Sequence, residues 1–336
     1  MSAAFGLYGH IRSNRTRSVI LIAGLFFLVY LLVFAFTLLL NGMMIGDQAL
    51  DIILSEALAQ FLLLAPFATI ATAIWVFIGY RFHQRMIDRS TGAKDVTRDE
   101  EPELYNLLEN LCISRGIPMP RLQVIETGVM NAYASGMNDK QYRIAVTRGL
   151  MQALDRDELE AVLAHELTHI RNGDVRLMVV AVVIAGVITL VGEIFFRTLR
   201  HMRFSSSSSG GNRKGGGGGL IAILIAFVII AIAWFLSLVI RFALSRSREY
   251  LADAGSVELT KNPDAMIRAL RKIEGKSEMP NVPSGIMEMC IDNKRNTFAD
   301  LFATHPSIDR RVEKLVAVAG GQEAPAASPP GSAANA

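Results

Sequence analysis

Residues 164–186 read AHELTHIRNGDVRLMVVAVVIAG. His165 and His169 stand four residues apart with Glu166 between them, and an apolar run begins at Val175, six residues after the second histidine. On a helix, positions i and i+4 share a face, so both rings can present a nitrogen to one ion at about 2.0–2.1 Å. Glu166 lies beside them, within reach of a water on that ion. The preceding residues, DRDELEAVLAHELTH, independently read as a helix. Asp155 followed three positions later by Glu158 is a capping-box start, and Leu159, Val162 and Leu163 form an apolar side. A metal-ligand helix thus runs into sequence suited to a membrane.

The whole chain supports that pairing. With 51% hydrophobic residues and a mean hydropathy of +0.34 over 336 residues, it is too apolar for an ordinary soluble protein. The excess sits in blocks: residues 19–40, 57–80 and 220–240 carry no charge, and each can span a hydrocarbon core about 30 Å thick at about 1.5 Å per residue. A fourth block, 177–192, is marginal in length. Arg12, Arg15 and Arg17 precede the first block, but its apolar run is too long for a signal peptide and no small-residue cleavage site follows, so it reads as an uncleaved anchor. The loop 41–56 has no Lys or Arg, whereas Arg81, Arg85 and Arg89 follow the second block. The positive-inside rule therefore places the N-terminus and the segment after Tyr80 in the cytoplasm. Two distant cysteines, Cys112 and Cys290, make neither a disulfide framework nor a CxxC metal knuckle. A net charge of +3 with nearly balanced signs gives no reason to invoke nucleic acid.

Between about Lys94 and Asp174 the chain reads as a soluble domain. Leu104, Leu107, Leu108 and Leu111 mark an amphipathic helix ending at Gly116, and the β-branched runs 121–127 and 142–147 predict a small sheet. The Ser/Gly-rich residues 205–219 predict a flexible tether, and residues 319–336 a disordered tail.

A catalytic zinc usually has three protein ligands and an open position. SRSREYLADAG, residues 245–255, offers Glu249 and Asp253 on one helix face. Glu249 stands nine residues after Ile240. If the third and fourth apolar blocks pack as an antiparallel hairpin, both ligand segments emerge on one side, roughly 10 Å from the apolar boundary, and Glu249 comes to the histidines. The basic loop 197–219 is at odds with a full crossing, because it carries Arg197, Arg200, Arg203, Arg213 and Lys214.

These motifs, in order NAYASG (131–136), HELTH (165–169), EYLAD (249–253) and THP (304–306), resemble the HtpX-type membrane zinc metalloproteases, relatives of the CAAX prenyl endopeptidases. The resemblance runs from the first apolar block to about Val318. It departs at the Ser/Gly insert, at Tyr133 where phenylalanine is common, and in the tail. It implies one Zn2+ per chain held by His165, His169 and Glu249, with Glu166 as general base and Asp253 orienting a ligand histidine. His305 would lie near the site and help stabilise the tetrahedral intermediate. Asn131, Ala132, Tyr133 and Ala134 would form an edge strand that receives the substrate backbone.

The implied architecture is a mainly α integral membrane protein with about four transmembrane or membrane-inserted helices and a cytosolic α+β protease domain carrying a small β-sheet. Its segments are a cytosolic N-terminus (1–18), spans at 19–40 and 57–80 around the external loop 41–56, the first part of the protease domain (81–174), apolar segments at 175–196 and 220–242 around the loop 197–219, the second part of the domain (243–318) and the tail. The implied function is a zinc endopeptidase of a bacterial-type inner membrane that cuts membrane-protein or peptide substrates at the cytosolic face, in stress-related quality control. A prenyl-protein endopeptidase would need an enclosed chamber, and four blocks are too few to build one. A non-enzymatic scaffold or chaperone with a structural zinc would need a fourth ligand, for which His305 is the obvious candidate. A transporter would show charges inside the first, second and fourth blocks, and none is there.

Overall fold

The computed structural model describes residues 7–181, 183, 184, 186, 197, 218–242, 247–280, 282, 284–287, 289–292 and 306–322. Two long helices, α1 (Leu7–Met44) and α2 (Leu50–Thr91), form an antiparallel hairpin and outrun their apolar blocks at one end. α2 carries Arg81, Arg85 and Arg89 on a helical extension that stops at Gly92 in the left-handed region (φ 75°). Polar side chains inside the hairpin partner one another: Asn41 and Gln60 exchange hydrogen bonds at 2.8 and 3.3 Å, and Tyr30 and Thr69 share one at 2.6 Å.

The sheet follows. Strands β1 (Lys94–Asp95), β2 (Arg121–Ile125), β3 (Ala132–Ser135) and β4 (Arg143–Thr147) lie in the order β1-β2-β4-β3, with β2 parallel to β4 and both outer pairs antiparallel. The two predicted strands are therefore central, and β3 lies at the edge. Helix α3 (Pro102–Arg115) buries the four predicted leucines and ends at Gly116, and α4 (Arg148–Ala153) follows β4 directly. Helix α5 (Arg156–Asn172) carries the histidine motif and has the predicted capping box. The Asp155 side chain accepts from the Glu158 N–H at 2.9 Å, and the Glu158 carboxylate returns the bond to the Asp155 N–H at 2.9 Å.

Residues 174–181, 183, 184 and 186 are helical and lean on α2, where the Trp75 indole donates to the Val183 carbonyl at 3.2 Å. The rest of the predicted 175–196 segment, and residues 205–217 of the tether, lie outside the described residues. Helix α6 (Gly218–Phe242) packs on α1 and α2. Gly218 and Gly219, expected in the tether, instead form its first turn. The Gly219 N–H donates to the Gly46 carbonyl at 3.1 Å, and a Cβ on Gly219 would overlap the Gly46 backbone, so only glycine allows this approach. Ser18–Met44, Leu50–Thr91 and Gly218–Leu236 are long and apolar enough to cross a membrane. The remaining helices are α7 (Ser247–Thr260), α8 (Pro263–Ile273), α9 (Ser284–Met287) and α10 (Ile308–Ala319). Of the predicted tail, residues 323–336 lie outside the described residues, while Gln322 is fixed by its N–H to Asp264 at 2.7 Å.

Candidate active site

α5 and α7 approach closely because α7 presents small residues. Ser256 donates to the Ala161 carbonyl at 2.6 Å, and the space a Cβ on Gly255 would need is filled by Thr168. This contact brings Glu249, in the first turn of α7, to the histidines one helix away. The His165 and His169 Nε2 atoms lie 3.2 Å apart, and the Glu249 Oε2 is 3.7 Å from each. All three residues are buried.

The donor set fits a zinc ion. Two ligands at about 2.0–2.1 Å in tetrahedral array are separated by about 3.4 Å, close to the spacing seen. Each Nδ1 faces a carboxylate and carries the proton of its neutral ring, so both Nε2 atoms present lone pairs to each other, and an ion between them takes both. Each histidine is also backed through its other nitrogen: His165 Nδ1 lies 3.0 Å from Asp253 Oδ1, and His169 Nδ1 lies 3.1 Å from Asp174 Oδ2. Carboxylates in that position fix the ring orientation and raise ligand basicity.

Electrostatics follow from burial and charge. For His169, burial opposes the charged form, but Glu249 and Asp174 outweigh it and raise its pKa to about 10 in the metal-free site. Burial pushes the Glu166 carboxyl above the usual range, against the pull of the two histidines and a weak contribution from the Ala134 peptide. Both Glu166 oxygens are buried and make no full hydrogen bond among the described residues. For Asp253 the order reverses. Burial would raise it, yet Arg311 holds it below the ordinary carboxylate value. Arg311 is itself fully buried, and grips both Asp253 oxygens at 2.6 and 2.9 Å and the Ile291 carbonyl at 2.7 Å.

The structure thus brings His165, Glu166, His169, Glu249 and Asp253 together. His305 lies outside the described residues. Sequence reasoning missed Asp174 and Arg311. The signal for Arg311 was present: on α10 it shares the buried face with Ile308, Val312 and Leu315, a charge at a core position. Asp174 had a weaker one, a carboxylate just past the Gly173 cap of the histidine helix.

The predicted substrate strand is placed at the sheet edge, but its open side is partly taken. Cys290 bridges Tyr133 in antiparallel fashion, and the Ile291 N–H donates to the Ala132 carbonyl at 3.0 Å. Asn131 is engaged as well, its side-chain amide donating to the carbonyls of Ser277 at 2.7 Å and Asp292 at 3.3 Å. The hydroxyl that distinguishes Tyr133 from phenylalanine shares a hydrogen bond with Thr91 at the end of α2, at 2.9 Å.

Residues 98–319 match Peptidase family M48. The chain belongs to peptidase family M48. Relatives named Protease HtpX homolog are similar over most of the M48 chain. That of Bacteroides fragilis (strain YCH46) is 38% identical over 264 residues, 76% of this chain and 81% of its own. That of Listeria monocytogenes serotype 4b (strain CLIP80459) is 37% identical over 320 residues, 92% of this chain and 99% of its own. The crystal structure of S. mikatae Ste24p is similar at 20% identity with a TM-score of 0.44, covering 76% of this chain and 58% of that one. This M48 chain is a membrane-bound metalloprotease, a metalloendopeptidase that hydrolyses peptide bonds in protein or peptide substrates.

Proposed function

We propose that the enzyme is a zinc endopeptidase whose ligands are His165, His169 and Glu249, with Glu166 as general base and Asp253, Asp174 and Arg311 as positioning residues. One observation carries this reading: two mutually facing imidazole nitrogens 3.2 Å apart, a carboxylate 3.7 Å from both, and a carboxylate behind each ring. A zinc ion held there supplies Lewis acidity, which brings the pKa of a water near 7 and polarises a carbonyl. Glu166 supplies the proton transfers. Its raised pKa suits a group that takes a proton from the attacking water as the C–O bond forms and returns it to the amine as the C–N bond breaks. His305 is assigned to stabilising the tetrahedral intermediate, on the motif resemblance alone.

The substrate is assigned to the open side of β3, paired as an added strand along Ala132 and Ala134. Residues 289–292 occupy part of that side, so this strap leaves before a substrate strand pairs at Ala132. Arginines follow the apolar part of α2 at the end where the catalytic domain begins, which supports a cytosolic active site in a bacterial-type inner membrane. α6 starts against the opposite end of the α1–α2 hairpin, which supports a full crossing from the outer side. A site so near the bilayer suits cytosolic loops of membrane proteins, as quality control under stress requires.

The test is metal content and casein cleavage by the detergent-purified enzyme beside Glu166→Gln, with and without chelator. Zinc in both, with chelator-sensitive cleavage in the wild type only, is the expected result. Undiminished turnover in Glu166→Gln overturns the role of Glu166, and absence of zinc from both overturns the ligand set.

A further inference from the structure

Where α2 leaves its apolar stretch, a cavity of about 270 Å3 opens between the helix and the sheet. Arg81, His83, Arg85, Arg121, Lys140 and Arg143 line it. The facing carboxylates are few. Asp88 lines the cavity and pairs with Arg143 at 3.2 Å, and Asp95, outside the lining, lies 3.7 Å from both Arg121 and Arg143. Five cations against two carboxylates leave an excess of three positive charges. Among the described residues, Arg81, Arg85 and Lys140 have no carboxylate partner. The two arginines instead flank the Phe82 ring at 5.7 and 5.6 Å.

A second observation points to a ligand. His83 is only 4% exposed and its Nδ1 faces the Tyr80 carbonyl at 3.0 Å, yet its Nε2 is buried without a partner among the described residues. With Nδ1 donating to the Tyr80 carbonyl, Nε2 of the neutral ring is a buried acceptor, a group that a hydroxyl of a bound headgroup would satisfy.

Depth identifies the anion. At about 1.5 Å per residue, Arg81 stands about 1.5 Å and Arg85 about 7.5 Å beyond Tyr80, the last residue of the apolar run, which is the thickness of a headgroup layer. Phe77, Tyr80 and Phe82 are exposed on the same stretch, as aromatic residues are at a membrane interface. We propose that this cavity binds the phosphodiester headgroup of an acidic phospholipid. Arg81 and Arg85 meet it at the membrane surface, and Lys140, Arg121 and Arg143 hold it against the sheet. The ligand also reaches the substrate strand, because Ser135 of β3 donates to Gln84 at 3.0 Å and Gln84 donates to Asp88 at 2.7 Å on the cavity wall.

The test titrates dioctanoyl phosphatidylglycerol into the detergent-purified full chain and follows the unfolding temperature. Dioctanoyl phosphatidylcholine and glycerol phosphate serve as parallel arms. A saturable rise with phosphatidylglycerol that the other two do not match is expected. Arg85→Ala/Lys140→Ala should shift its midpoint about thirty-fold, the effect of two cations at a membrane surface. Both side chains are exposed, and the charge-preserving Arg85→Lys/Lys140→Arg should restore binding, separating loss of charge from loss of fold. An equal rise with phosphatidylcholine overturns the proposal, as does one reproduced by glycerol phosphate at the same concentration. So does a phosphatidylglycerol curve unmoved by the double alanine variant.

Discussion

At the scale of single residues, one buried arginine outside both candidate ligand motifs braces the site. Arg311 neutralises Asp253, and Asp253 holds His165. Arg311→Met leaves an unpaired buried carboxylate, a change that costs about 3–5 kcal/mol. The sign with pH is specific. In the wild type the Asp253 pKa lies below its ordinary 3.8, so its contribution is complete above that value and is lost as pH falls through the folded-state pKa. Without Arg311, burial is opposed only by His165 and that pKa rises, so the variant loses stability relative to the wild type as pH rises from about 4 to 7. Thermal unfolding of the chelated proteins at both pH values measures this. A variant that matches the wild type at neutral pH would show that Arg311 does not sustain the charge on Asp253.

At the scale of elements, the strap covers part of the strand proposed to receive substrate. Ser277 donates to the Asp292 carboxylate at 2.6 Å, and its carbonyl accepts from Asn131, so it ties the strap to the base of the strand. A hydrogen bond to a charged group contributes about 1.5–3 kcal/mol, and 1.4 kcal/mol is about ten-fold in an equilibrium. Ser277→Ala is therefore expected to raise kcat/KM for a peptide substrate about ten-fold or more, with metal content unchanged. An unaltered kcat/KM in a folded variant would remove the strap from the mechanism. The same scale shows why a strand that reads as an open edge is not fully open. Cys290 and Ile291 reach it from more than 150 positions along the chain, and nothing in their local sequence marks them as its partner.

At the scale of the whole molecule, the proposed sidedness of the site rests on the three long helices. Gly219 at the start of α6 touches Gly46 in the α1–α2 turn, whereas the histidine helix lies towards the other end of α2. Asp47→Cys in that turn is expected to label from outside the cell with an impermeant maleimide. Both native cysteines are buried, so the background should be low. Labelling only after the membrane is opened would invert the topology and move the active site to the outer face.

The sequence by itself determined the membrane blocks, the capped histidine helix, the central strands and the two motifs that face the candidate metal, because periodicity, capping and i, i+4 spacing are local properties of a chain. It also carried the M48 relationship in the order of those motifs. Tertiary structure alone decided that Glu249 stands 3.7 Å from both histidines, that Arg311 and Asp174 support the site, that Ile291 closes part of β3, and that cations from α2 and the sheet share one cavity. Each is a contact between segments far apart in sequence. Such contacts arise from packing: the fit of Gly255 against Thr168, or of Gly219 against Gly46, fixes distances that no local pattern encodes.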